Sequence, residues 1–197
     1  LSLTKYSISD PPRWVGLDNY AVIFKGWEPS FYNSVKVTVE YSVIAVPLGV
    51  LVALLAAMLL NVPRIKGMSY YRTVFFLPSL LPAVATTITW AFVFNPKYGY
   101  LNAMYASVFD GEGPNWLMEH TLACLVMIAV WGFGNTMMIF LAGLQEVPKA
   151  LLEAATVDGA NVWQRFWHIT IPAIFPVIFF NFVVGIIASF QVFTQAF

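Results

Sequence analysis

Four long runs of apolar residues dominate this sequence, and a helix needs roughly 20 such residues to cross the hydrocarbon core of a bilayer. The runs cover 41–60, 73–94, 121–144 and 171–197, and none of them contains Asp, Glu, Lys or Arg. Buried helices of soluble proteins are rarely this long and this free of charge. The pattern therefore predicts an all-α, polytopic transmembrane helical bundle. Its four spans are expected at about 35–60, 73–94, 121–144 and 171–197, within a single transmembrane domain over 1–197.

The composition supports a membrane location and excludes several other classes. Only 10% of the residues are charged, whereas a soluble domain usually carries about 25%. Aromatic residues make up 17% of the chain, which is typical of a protein that meets both membrane–water interfaces. The formal net charge is zero, so nothing indicates nucleic-acid binding. Cys124 is the one cysteine, which excludes an internal disulfide and a cysteine metal cluster.

The loops predict how the chain is oriented in the membrane. Loop 61–72 contains three basic residues and no acidic one. These are Arg64, Lys66 and Arg72. Because cytoplasmic loops are enriched in Lys and Arg, this loop is expected in the cytoplasm. Alternation then places loop 145–170 in the cytoplasm too, and 1–34 and 95–120 outside.

Prolines fall inside three of the four runs. Those inside the runs include Pro47, Pro78, Pro82 and Pro176. Each removes a helical hydrogen bond and invites a kink. Kinked spans suit a pathway that opens and closes, and they equally suit plain helix packing.

Loop 145–170 has a clear local pattern. Proline is tolerated in the first turn of a helix, and Pro148 precedes a stretch of good helix formers that ends near Asp158. Gly159 is placed to end that helix in a left-handed cap, and Asn161 can cap a second short helix. The loop is therefore predicted to form two short helices across the cytoplasmic face.

The first of these helices carries small and acidic side chains on its surface. Ala154 and Ala155 let another surface come close, and Glu153 and Asp158 add negative charge beside them. This indicates a docking knob for a partner with a basic groove. The other interpretation is an ordinary connector between two spans.

The motif decides between these interpretations. Glu153-Ala154-Ala155, Asp158-Gly159-Ala160 and Ile171-Pro172 resemble the EAA loop of ABC importer permeases, with the glycine inside DGA as in the carbohydrate-type members. Further segments are similar to the maltose- and glycerol-phosphate-type permease subunits. They are Gly16-Leu17-Asp18-Asn19-Tyr20, Phe31-Tyr32-Asn33-Ser34, residues 72–82, Trp90 and Tyr98-Gly99-Tyr100-Leu101-Asn102.

This resemblance implies a type I ABC importer permease fold in a bacterial or archaeal plasma (inner) membrane. Members usually have six helices, so the second to fifth would lie here, and the sequence is expected to be a fragment. The implied partners are ABC ATPase subunits, a second homologous permease subunit and an extracytoplasmic solute-binding protein, besides lipid and a small solute. The helix from Lys149 to Gly159 would be the coupling helix. Its coupling residues would be Glu153, Ala154, Ala155, Asp158 and Gly159.

The chain itself shows no catalytic machinery. It has no GxxxxGK[ST] phosphate loop and no HExxH pair. No catalytic residue, metal site or cofactor is therefore predicted, and ATP hydrolysis is expected in a separate subunit.

The solute path is expected between the third and fourth spans, because sugar sites combine aromatic faces with amide and hydroxyl groups. The predicted path residues are Trp131, Phe133, Asn135, Thr136, Gly185, Ser189 and Gln191, with Asn181, Gly132, Gly134 and Phe190 as neighbouring candidates. Polar groups are costly in lipid, so they should face a cavity or another helix. Helix-to-helix hydrogen bonding explains them equally well.

The cargo is predicted to be a sugar or sugar-like solute. A glycerol phosphoester or a polyol is the alternative, although a phosphoester would favour a basic residue in the path and the four runs contain none. An ion-coupled transporter or channel would usually carry charged residues within its spans.

Overall fold

The structure is a computed structural model that describes residues 2–7, 10–26, 29–62, 67–109, 111 and 113–192. Arg64 and Lys66 of the basic loop lie outside the described residues, as does the end of the fourth run, 193–197. The chain divides into two compact units, Leu1–Glu40 and Tyr41–Phe197.

The first unit contains a β-hairpin, which the all-α prediction did not include. Strands β1 (Thr4–Ser7) and β2 (Asp10–Trp14) pair antiparallel. Helix α1 (Asp18–Phe24) follows, and α2 (Pro29–Leu60) begins in this unit. The Asn19 side chain donates to the carbonyl oxygens of Ser2 (2.8 Å) and Thr4 (3.2 Å), which ties α1 to the hairpin.

In the second unit, helices joined by turns and loops are the regular elements among the described residues. After α2 come α3 (Met68–Phe76), a 3₁₀ turn (Leu77–Leu80), α4 (Ala83–Val93), α5 (Tyr100–Val108), α6 (Trp116–Glu119), α7 (Thr121–Trp131), α8 (Gly134–Glu146), α9 (Lys149–Val157), α10 (Val162–Arg165), a π-helical turn (Phe166–Thr170) and α11 (Ile171–Ser189). The helical fold class predicted from the apolar runs is confirmed.

Two helices are long and apolar enough to cross a bilayer, α2 and the continuous helix Val162–Ser189. The number rises to four if the pairs α3–α4 and α7–α8 each form one bent span. The α3–α4 pair bends by 98° and the α7–α8 pair by 47°. The second and third runs are thus broken helices rather than straight rods.

The breaks only partly follow the prolines. The 98° bend falls at Pro82, after the 3₁₀ turn that contains Pro78. Pro47 and Pro176 remain inside continuous helices. The 47° bend in the third run has no proline and occurs at Gly132, which follows the last residue of α7.

The core of the second unit lies where α2, α8 and α11 meet. Ala53 and Ala57 of α2 are fully buried against large residues of the other two helices, such as Phe140 and Ile174. Lipid tails are as apolar as these side chains, so close packing rather than exclusion of water holds such helices together. Small residues on α2 make that close packing possible.

Loop 95–120 is organised around one buried amide. Asn102 of α5 donates to the carbonyl oxygens of Pro96 (2.9 Å) and Pro114 (3.3 Å). Its Oδ1 accepts from the indole nitrogen of Trp116 at 2.5 Å. Asn102 therefore joins both ends of the loop to α5.

Candidate functional site

The joint between α9 and α10 has the cap that the sequence predicts. Gly159 has φ +82°, in the left-handed region. The amide of Ala160 donates to the carbonyl of Ala155 at 2.9 Å, and that of Gly159 donates to Thr156 at 3.1 Å. This pair of bonds is the Schellman arrangement, which satisfies carbonyls at the end of a helix and reverses the chain.

The start of α10 is also fixed as predicted. The Asn161 side chain accepts from the Gln164 amide at 2.9 Å, and the Gln164 side chain accepts from the Asn161 amide at 2.8 Å. This reciprocal capping box satisfies two donors that would otherwise lack partners.

Helix α9 presents one face away from the bundle. Leu152 is half-buried and packs against the main hydrophobic core. Glu153, Ala154 and Asp158 are exposed, and Val157 is 88% exposed. Ala155 is half-buried and Gly159 is exposed. The candidate coupling residues therefore form a small-residue surface with two carboxylates, accessible to another protein.

A cavity of about 310 Å³ lies among α2, the α7–α8 bend and α11. The polar side chains in its wall are Tyr41, Thr136, Asn181 and Ser189. Phe133 adds an aromatic side chain, and Gly132 and Gly185 expose backbone. Hydroxyl groups, an amide and an aromatic ring thus surround one space at the centre of the helices.

The structure brings together only part of the predicted path. Phe133, Thr136, Gly185 and Ser189 line this cavity. Trp131 lines a neighbouring cavity of about 250 Å³, which shares Tyr41, Ala129 and Gly132 with the first. Asn135 and Gln191 are exposed and line neither cavity. Of the neighbouring candidates, Gly134 and Phe190 also lie outside both linings.

Two polar candidates are engaged in helix contacts as well. The Oγ atoms of Ser189 and Ser42 share a buried hydrogen bond of 2.7 Å, and Ser189 also lies 2.7 Å from the carbonyl oxygen of Ile186. The Asn181 amide donates to the carbonyl of Val177 within its own helix at 2.8 Å. Ser189 thus joins α11 to α2, while the Asn181 bond leaves the amide oxygen available to the cavity.

The sequence reasoning missed the contribution of α2. Tyr41, Ala45, Val46 and Gly49 line the larger cavity, although the path was predicted between the third and fourth spans. The available signal was Tyr41, a hydrogen-bonding aromatic residue at the start of an otherwise apolar run. Helix pairing between distant segments cannot be read from such a signal alone.

The family model described as "Binding-protein-dependent transport system inner membrane component" matches residues 45–196. The chain belongs to this family. The family is a membrane component of transport systems rather than a group of enzymes, and its match covers the α9–α10 joint and every residue that lines the two cavities except Tyr41. The resemblance inferred from the EAA-type loop is therefore confirmed.

Curated members of the family are similar over nearly the whole chain. The probable ABC transporter permease protein YesP of Bacillus subtilis (strain 168) is 43% identical, covering 100% of this chain and 64% of the relative. The sn-glycerol-3-phosphate transport system permease protein UgpA of Rhizobium meliloti (strain 1021) is 36% identical, covering 90% and 60%. The chain thus spans about 60–64% of the length of these relatives.

A solved structure has the same fold. A bacterial ABC transporter involved in the import of the acidic polysaccharide alginate matches with a TM-score of 0.78 and 25% identity. The match covers 91% of this chain and 63% of that chain. The arrangement of bent and continuous helices is therefore that of an ABC importer.

Proposed function

We propose that this chain is a transmembrane permease subunit of an ATP-binding-cassette importer, and that α9 is its contact with a separate ATPase subunit. The observation that carries the proposal is the exposed α9 surface, with its small residues and the carboxylates of Glu153 and Asp158. The fixed joint at Gly159 and Asn161 connects that surface to α11.

The chemistry of α9 fits a protein groove better than a lipid surface. Ala154 offers little side-chain volume, so a partner backbone can approach closely, and Val157 offers an apolar contact. Glu153 can pair with a basic residue of the partner. Acidic side chains are disfavoured against the anionic inner leaflet, so both carboxylates indicate a basic protein surface.

The proposed transport cycle is alternating access. ATP binding would draw the ATPase subunits together, and the motion of α9 would tilt the attached helices. The cavity among α2, α8 and α11 would then form part of the solute path, completed by a second permease subunit. An extracytoplasmic binding protein would deliver the solute.

The proposed cargo is a neutral sugar or sugar-like solute. Among the described residues that line the two cavities none is charged, and the larger one offers Tyr41, Thr136 and Asn181 as hydrogen-bonding groups. Aromatic faces at Phe133 and Trp131 complete a surface of the kind that binds sugar rings. A glycerol phosphoester or polyol is the second candidate, because UgpA relatives carry that transport in their name.

The proposed location is a bacterial or archaeal plasma (inner) membrane, with loops 61–72 and 145–170 in the cytoplasm. The family is an inner membrane component. The basic composition of loop 61–72 supports this orientation, and it places the exposed face of α9 where an ATPase can reach it.

The test is ATP hydrolysis by the complete importer in nanodiscs, with its binding protein present or absent. Glu153→Lys reverses a charge in the proposed contact, and Gly159→Pro cannot adopt the φ of +82°. Both variants should insert in the membrane and lose stimulation by the binding protein. Asp18→Lys, which reverses an exposed carboxylate in the first unit, is the matched control and should retain stimulation. Normal stimulation in both α9 variants would overturn the proposal.

A further inference from the structure

Helices α9 and α11 are connected by a short segment whose chain reversal lies at a single glycine. The chain between them turns at Gly159, whose backbone is free of side-chain restriction. If only the backbone joined the two helices, a force on α9 would rotate it about this glycine. Something else must hold α9 at a fixed angle if its motion is to reach α11.

The side chain of Arg165 provides a second connection. Its guanidinium donates a hydrogen bond to Oγ1 of Thr156, across the joint from α10 to α9. Thr156 Oγ1 in turn donates to the carbonyl of Leu152 at 2.7 Å, one turn earlier in α9. The threonine hydroxyl therefore donates one hydrogen bond within α9 and accepts another from α10.

Arg165 is well placed to transmit force into the membrane. It is the last residue of α10, and the helix continues without interruption through the π-helical turn Phe166–Thr170 into α11. Its side chain is half-buried, in contrast to the exposed Trp163 and Trp167 beside it. A planar guanidinium holds a fixed direction better than a flexible ammonium does.

We infer that Arg165 is a positioning residue that braces the α9–α10 joint through Thr156, so that α9 and α11 move as one rigid lever. This inference rests on the proposed role of α9 as the contact with an ATPase. It adds a side-chain brace to the backbone cap at Gly159 and the capping box at Asn161. The Arg165–Thr156 bond joins α10 directly to α9, whereas the two caps act only on the connecting residues between them.

The decisive comparison is between two substitutions at Thr156. Thr156→Ser keeps the hydroxyl that accepts from Arg165, whereas Thr156→Val keeps the side-chain shape and removes it. In the complete importer, Thr156→Val should reduce the stimulation of ATP hydrolysis by the binding protein about five- to tenfold, the effect of losing one ordinary hydrogen bond in an exposed position. Thr156→Ser should retain the wild-type stimulation.

Arg165→Gln supplies the second half of the test. It removes the charged donor, and the double variant Arg165→Gln with Thr156→Val should lose no more stimulation than either single variant, since both remove the same contact. Thr73→Val is the matched control, because Thr73 makes the same bond to a carbonyl four residues earlier, Ser69 at 3.0 Å. It should leave stimulation unchanged.

The outcomes separate this inference from the proposed function. Co-purification of the ATPase with each variant shows that the contact surface itself is intact. If Glu153→Lys abolishes stimulation while Thr156→Val and Arg165→Gln leave it at the wild-type level, the brace is wrong and the ATPase contact stands. Additive losses in the double variant would also overturn the brace. If Glu153→Lys has no effect either, the proposed function fails.

Discussion

Ser42 and Ser189 lie 147 residues apart in the sequence, and their Oγ atoms share a buried hydrogen bond of 2.7 Å. One turn later in α2 and one turn earlier in α11, Gly185 faces Val46 so closely that a Cβ on the glycine would lie 3.0 Å from Val46 Cγ1. Gly185 and Ser189 thus form a small-residue pair, spaced four apart, that lets α11 approach α2. This crossing forms one wall of the larger cavity.

At the α2–α11 crossing, a smaller side chain on one helix should compensate for a larger one on the other, and thermal stability should show this. Gly185→Ala should destabilise the folded protein in detergent by about 1 kcal/mol, because the added methyl presses on Val46. Val46→Ala removes the opposing methyl groups, so the double variant should recover most of the loss of thermal stability that Gly185→Ala causes. Equal melting temperatures for Gly185→Ala alone and for the double variant would contradict this packing.

The hydroxyl pair at the same crossing makes a smaller contribution. Ser189→Ala should lower stability by about 0.6 kcal/mol, the typical value for a hydrogen bond between transmembrane helices. The measurement is the melting temperature in detergent, with Ser107→Ala as control because Ser107 bonds only locally, to the carbonyl of Met104. A change in the control as large as that in Ser189→Ala would argue against a specific interhelical bond.

The close approach of α8 to α3 depends on Gly134 rather than on Gly132. A Cβ at Gly134 would lie 2.5 Å from the carbonyl oxygen of Phe75 and 2.8 Å from Cα of Phe76. Both are backbone atoms, so α3 and α8 would have to separate. Gly134→Ala should cost about 1–3 kcal/mol, the usual cost of overpacking, and lower the yield of folded protein in size-exclusion chromatography.

Gly132→Ala is the matched control for that prediction. The nearest atom to its added Cβ is the carbonyl oxygen of Ala129 at 3.6 Å, an ordinary contact. We expect a wild-type elution profile for Gly132→Ala. Similar losses in both variants would mean that the close approach of α8 to α3 is not what requires a glycine.

Substitutions at Gly159, in the left-handed turn after α9, should destabilise the joint through backbone strain. Gly159→Ala should destabilise the joint by about 1–2 kcal/mol, since a Cβ disfavours a positive φ. Gly159→Asn should cost less, because asparagine adopts this conformation more readily. Hydrogen exchange at the α9–α10 joint measures the difference, and faster exchange in Gly159→Asn than in Gly159→Ala would contradict it.

Substitutions of predicted path residues should affect solute uptake only where the side chain lines the cavity. Thr136→Val and Asn181→Leu remove polar groups from the cavity wall and should reduce solute uptake without reducing ATPase co-purification. Asn135→Leu changes an exposed side chain next to Thr136 that lies outside both linings, and it should retain uptake. If Asn135→Leu alone impaired uptake, the path would follow the exposed face of α8 instead of the cavity.

The local elements of this chain were predictable because their signals lie within a few residues. The Gly159 cap and the Asn161 N-cap were both expected from the sequence, whereas the reciprocal bond from the Gln164 side chain was not. The hairpin that ends at Trp14 was not expected, and its second strand contains consecutive prolines at positions 11 and 12. Proline usually argues against a strand, but it is tolerated where its missing amide faces away from the partner, as at an edge.

The broken spans show where sequence reasoning stops. Proline marks the 98° bend at Pro82, yet Pro47 and Pro176 leave their helices continuous. A proline only removes a hydrogen bond, and neighbouring helices decide whether the chain bends there. The bend near Gly132 has no proline, and it accompanies the close approach of Gly134 to α3.

By itself, the sequence determined that the chain forms apolar helices, that a capped helix–turn–helix follows the third run, and that its loop is of the EAA type. These follow from hydrophobicity, backbone preference and spacing, which are properties of neighbouring residues. Only the tertiary structure decided that Tyr41 joins Thr136 and Asn181 around one cavity, that Asn135 faces away from it, and that Arg165 reaches Thr156. Those outcomes depend on how closely helices that are distant in the sequence pack together. Small residues allow this close packing, but the sequence does not show which residues of another helix they contact.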